Sequence, residues 1–164
     1  MNKSKNMLLL LTIAIATQNT EPTKHKHNEG FDQMIKAGAK LKYNPENISQ
    51  LKKIFANDND ADLQRFVIAN PNFNWNLAYT NLPWSGNPAT PLNAAAWFGS
   101  KKCVWYLLLE QPGNFMKSIN TKSGSGHTSL AYASHPPKKR TFPYQKNENF
   151  KAIAASLKSV GAKK

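Results

Sequence analysis

Apolar residues in this chain fall into short runs at helical spacing, and the runs come in pairs. Leu51, Ile54 and Phe55 share one face of a first predicted helix, and Leu63, Phe66 and Val67 one face of a second. Asn57 to Asp60 is the turn between them. Leu92 with Ala94, Ala95 and Ala96, then Cys103, Val104, Tyr106, Leu107 and Leu108, make the next pair. Thr90 can cap the first helix of that pair, and Pro91 suits its opening turn, where no N–H is needed. Gly99 can take the left-handed conformation that ends it. Leu130, Ala133 and Ser134, followed by Ile153, Ala154 and Leu157, predict a third pair. Its connection, Pro136 to Tyr144, is long for a turn between paired helices. The pattern predicts an all-α fold.

The N-terminal apolar run is of another kind. Met7 to Ala16 is unbroken but about half the roughly 20 residues that a spanning helix needs. Lys3 and Lys5 precede it, and Ala14-Ile15-Ala16 supplies small residues at cleavage spacing. Residues 1–16 are therefore expected to be a signal peptide, cleaved after Ala16, that sends the chain to a secreted or periplasmic location. No cysteine follows to make a lipoprotein site. Residues 17–28 are polar and aperiodic, which predicts a flexible arm.

The run Thr90-Pro91-Leu92-Asn93-Ala94-Ala95-Ala96-Trp97-Phe98-Gly99, with the Val104–Leu108 helix behind it, resembles an ankyrin repeat. Ile119-Asn120-Thr121 and Gly126-His127-Thr128-Ser129-Leu130 continue the likeness through the family's hairpin register. Met34 to Ala39 is similar to the end of an earlier repeat, and Gly38 to Asn70 spans 32 residues, near the family's period of about 33. Asn93 stands where the family usually carries a histidine that links neighbouring repeats. The resemblance implies an ankyrin-type solenoid of three to three and a half helix–turn–helix repeats with β-hairpin-like loops, covering residues 29–164. Its parts are a half repeat (29–44), a degenerate repeat (45–76), a repeat with a hairpin insertion (77–120) and a last repeat (121–164) whose inserted loop is 136–147. Such units are stable only when stacked on one another.

The family binds proteins through its hairpin tips and the concave face of its inner helices, and is not usually enzymatic. Carried onto this chain, that implies a solvent-facing aromatic patch of Tyr79, Trp84, Trp97 and Phe98, flanked by Lys122 and His127. Large exposed aromatics are the usual anchors of an interface. The opposing possibility is that the insertion folds back so that Trp84 packs on Trp97. Trp105, on an outer helix, is expected to pack against the next repeat.

Composition narrows the function classes. The chain has 164 residues, 40% of them hydrophobic, which suits one globular domain. Its 22 Lys/Arg against 9 Asp/Glu give a net charge of +13. The imbalance is one-sided: residues 90–164 hold 12 Lys/Arg but only Glu110 and Glu148 as acids, a net of +10. A basic half favours anionic partners. The expected partner is another protein with an acidic surface, a host-cell or envelope protein, held by a monomer. The alternative is nucleic acid or another polyanion gripped by Lys138, Lys139 and Arg140 with Phe142 and Tyr144, basic groups for phosphates interleaved with rings for stacking.

Catalysis finds little in the sequence. The single cysteine, Cys103, lies on an apolar helix face and is expected to be a buried, inert thiol. His25 and His27 sit in the polar arm without an acidic cluster, and His127 and Ser129 lack a carboxylate nearby. No phosphate loop, HExxH or GxSxG motif occurs. The expectation is no enzyme, no metal and no cofactor.

Overall fold

A computed structural model describes residues 44–82, 87–110, 117–138 and 141–164. The predicted signal peptide, the arm and all of the half repeat except Asn44 lie outside the described residues, as do Trp84, Lys139 and Arg140. The described residues form six helices and no strand. These are α1 (Pro45–Ala56), α2 (Asp60–Ala69), α3 (Pro91–Phe98), α4 (Lys101–Glu110), α5 (Ser129–Ser134) and α6 (Asn147–Ser159).

Local chemistry explains where most of them start and stop. Asn44, Asn59, Thr90 and Thr128 each precede a helix and accept an N–H from its first turn through a side-chain oxygen. Proline opens α1 and α3. Gly99 ends α3 at φ 71°, the left-handed cap its position predicts. The α1–α2 turn passes through Asp58, itself left-handed at φ 47°.

The helices pack as three consecutive pairs, α1–α2, α3–α4 and α5–α6. The first members contact one another in order, α1 on α3 and α3 on α5; the second members do the same, α2 on α4 and α4 on α6. Leu51, Phe55, Leu63, Phe66, Leu92, Phe98, Leu107, Ile153 and Leu157 lie in the shared core. Ala94, Ala95 and Ala96 are fully buried there, their small side chains allowing close helix approach.

Polar links join successive pairs, first to second at the turn end and second to third at the loop end. At the turn end, Asp58 Oδ1 accepts the backbone N–H groups of Lys102 and Cys103 at 2.9 and 3.1 Å, so one turn caps the following pair's α4. Ser100 Oγ donates to the Phe55 carbonyl. At the loop end, Asn93 Nδ2 donates to the carbonyls of Thr121 and His127 at 3.1 and 3.2 Å. The asparagine thus joins the second pair to the loop ahead of the third. The Gly124 N–H donates to the Pro88 carbonyl at 2.7 Å. The tail continues the series, with Lys163 N–H on Asn120 Oδ1 at 2.6 Å and Thr128 Oγ1 on the Lys163 carbonyl at 2.9 Å. The insertion within 76–89 closes through an antiparallel bridge between Tyr79 and Ala89.

Candidate functional site

The expected aromatic patch is not a surface. Phe98 is fully buried, Tyr79 is buried and Trp97 is half-buried against the core. Tyr79 stacks on Phe73 with ring centroids 4.9 Å apart and donates its hydroxyl to the Asn74 carbonyl at 2.7 Å. Burial pushes its phenol up to about 12. Phe66, Phe73 and Trp75 complete that cluster in edge-to-face contacts.

What covers Trp97 and Phe98 is the inserted loop. Phe142 lies edge-to-face on Phe98 at 4.9 Å and on Trp97 at 6.3 Å. Gln145, itself buried, holds the loop in place. Its Oε1 accepts the Thr141 and Phe142 N–H groups, and its Nε2 donates to the Trp97 carbonyl at 3.4 Å. Phe142 is thus half-buried, its ring packed on Trp97 and Phe98. Of the other residues expected to grip a polyanion, Lys138 and Tyr144 are exposed. Lys122 and His127 are exposed on the 121–128 loop, where His127 lies 5.3 Å from the Tyr132 ring.

Besides Tyr144, the large exposed hydrophobic side chains among the described residues stand on the second-member helices. Trp105 is 41% exposed and Leu109 71%, one turn apart on the outward face of α4. Ile68 of α2 is 72% exposed. The Trp105 indole N–H donates to Ser156 Oγ of α6 at 2.8 Å, so the ring does pack toward the next pair, while part of it stays in water. The Lys101 ammonium sits 5.1 Å above the ring centroid, a cation–π contact worth about 0.5–1 kcal/mol at an exposed site.

A groove borders this ridge on each side. Toward α6, a groove of about 320 Å³ is lined by Trp105, Leu108, Leu109, Ser156, Ser159 and Val160. Toward α2, one of about 210 Å³ is lined by Asp60, Lys102, Trp105, Tyr106, Leu109 and Glu110. The first is apolar with two hydroxyls; the second carries both signs of charge. The i, i+4 spacing of Trp105 and Leu109 is the sequence signal that could have marked them, because both fall opposite the buried Cys103, Val104 and Leu107.

The buried titratable groups are structural in their contacts. Cys103 is fully buried with its thiol toward the Ile54 carbonyl; burial, with Asp58 and Asp60 nearby, raises its pKa. Burial likewise raises the Asp58 carboxyl, against the opposing pull of the Cys103 and Lys102 N–H groups. Among the described residues no three His, Cys, Asp or Glu side chains are grouped to hold a metal ion, and no helix is long and apolar enough to cross a membrane. No family model, curated protein or solved structure matches the chain.

Proposed function

We propose that this chain is an exported binding module on an ankyrin-type solenoid, which works as a monomer by holding another protein and not by catalysis. The ordered contacts within two rows of helices and the double hydrogen bond of Asn93 support the solenoid reading. The single observation that carries the function is the outward Trp105–Leu109 pair with a groove on either side. Covering a Trp and a Leu exposed together on one helix face would gain about 25 cal/mol per Å² of apolar area removed from water, and Trp is a preferred interface anchor. The proposed surface is thus the outward face of α4, in place of Trp97 and Phe98, which the loop covers.

Affinity capture from nuclease-treated lysate, washed at about 0.3 M salt to screen exposed charge contacts, tests this. A discrete protein held by the native chain and lost with Leu109→Ser supports it. Equal capture by both chains removes α4 from the interface.

A second reading, polyanion binding, is favoured by one juxtaposition. The bonds that Lys163 donates to Asn120 and accepts from Thr128 bring the Lys163–Lys164 tail beside the loop that carries Lys122 and His127. Retention that disappears with nuclease, or binding that weakens steeply with salt, would favour that edge.

A further inference from the structure

We infer that the loop end of the last two helix pairs binds the phosphodiester backbone of duplex nucleic acid by charge, without reading its bases. This rests on the second reading, polyanion binding, and gives the ligand its chemistry. Residues 117–128 and 158–164 carry Lys117, Lys122, Lys158, Lys163 and Lys164 and no acid, and all five lysines are exposed. None of them pairs with a carboxylate among the described residues. The acids nearest in sequence stand apart. Glu110 lines the groove toward α2, and Glu148 opens α6, about 15 Å along the helix from Lys158.

Hydrogen bonds hold the two segments together. The Lys163 N–H donates to Asn120 Oδ1 at 2.6 Å, and Thr128 Oγ1 donates to the Lys163 carbonyl at 2.9 Å. Within the loop, the Ser123 N–H donates to the His127 carbonyl at 2.9 Å and the Gly124 N–H to the Pro88 carbonyl at 2.7 Å. The Tyr132 hydroxyl bonds to Ser123 Oγ and Ser125 Oγ at 2.7 and 2.6 Å. The lysines are thus mounted on a braced backbone that a ligand need not order.

Chemistry then chooses among polyanions. An ammonium group is a point charge that takes a phosphate from any side, whereas carboxylates are best met by the arginine fork, and neither segment holds an arginine. A membrane surface is the poorer match, because Ile68, Trp105, Leu109 and Tyr144, the large exposed hydrophobics among the described residues, all lie outside both segments. For the same reason these segments offer no large exposed ring to stack on a base, and the neighbouring Tyr132 is buried. What remains is charge density, and a duplex carries one charge per about 1.7 Å of its axis.

The test measures fluorescence anisotropy of two dye-labelled DNA duplexes of unrelated sequence, about 16 base pairs long, titrated with the full 164-residue chain. Both should bind alike, with log K falling against log salt at a slope between about −3 and −4.5. Lys122→Gln with Lys163→Gln should make the slope shallower by about 2 and weaken binding about tenfold or more at about 50 mM salt. Both side chains are exposed and the bonds of Lys163 are those of its backbone, so thermal unfolding should be unchanged. Lys53→Gln with Lys138→Gln removes the same charge elsewhere and should leave the slope as it is.

Equal effects of the two double variants overturn the inference, and so does a strong preference for one duplex sequence or for a single strand. If the duplexes do not bind but vesicles with about one-third phosphatidylserine do, the choice of nucleic acid falls while the polyanion reading stands. Binding of neither overturns both.

Discussion

Asp58 shows how one side chain can join two helix pairs at a cost. Its left-handed φ of 47° puts the carboxylate at the start of α4, where it accepts two N–H groups and is largely out of water. Burial raises its pKa above the ordinary 3.8, so between that value and the raised one the folded chain holds a proton that the unfolded chain has lost. Its contribution is therefore fully present below pH 3.8 and declines as pH rises through the folded value. Asp58→Asn keeps the acceptor and tolerates φ > 0 without the charge. Its melting temperature relative to the native chain should be higher at pH 7 than at pH 3.5; a difference that shrinks as pH rises would contradict this. Asp58→Ala leaves two N–H groups without their acceptor at a left-handed position, and should cost about 2 kcal/mol at pH 3.5 and less at pH 7, where the native carboxylate has lost part of its contribution. Asn93→Ala should cost about 1–2 kcal/mol in chemical denaturation, because two loop carbonyls lose their donor. Unchanged stability there would mean that water replaces the amide.

At the scale of elements, the helices were the legible part. Apolar spacing and caps such as Thr90, Pro91 and Gly99 act within a few residues, and α3 and α4 form where those signals put them. The covering of Phe98 was not legible, because its partner Phe142 lies 44 residues away in a loop with no periodicity. Tyr79 was misplaced for a similar reason, since its cover comes from Phe73 and a bridge to Ala89 across the insertion. The ridge was half legible. Trp105 does reach Ser156, but pairing with a neighbour and facing water are compatible for a large amphipathic ring. The loop's role gives a direct test. Phe142→Ala should lower stability by about 1–3 kcal/mol and expose the Trp97 indole, seen as a red shift in emission. Its affinity for a single-stranded oligonucleotide should match that of the native chain. An oligonucleotide affinity that falls with no change in stability would restore Phe142 to a stacking role.

At the scale of the whole molecule, the contacts run in order, so each helix pair depends mainly on its neighbours. The last pair has a neighbour on one side among the described residues, and α5 is only six residues long. Its inward face meets α6 through Phe150, Ile153 and Leu157, all fully buried or nearly so. Phe150 also reaches back, its ring against the site of Gly99 at the end of α3. Deleting residues 150–164 removes three buried side chains, each worth about 1.5–3 kcal/mol, together with both backbone links of Lys163. That sum is comparable to the roughly 5–15 kcal/mol by which a typical domain is stable. The truncated chain should therefore lose more than the last pair. Amide exchange should accelerate through α5 and the 117–128 loop and spread into α4, which packs on α6, while α1 and α2 keep most of their protection. Uniform loss of protection across all helices would mean a single indivisible core. An unchanged, equally cooperative transition would mean that the stacking of α6 contributes little, and the solenoid reading would fall with it.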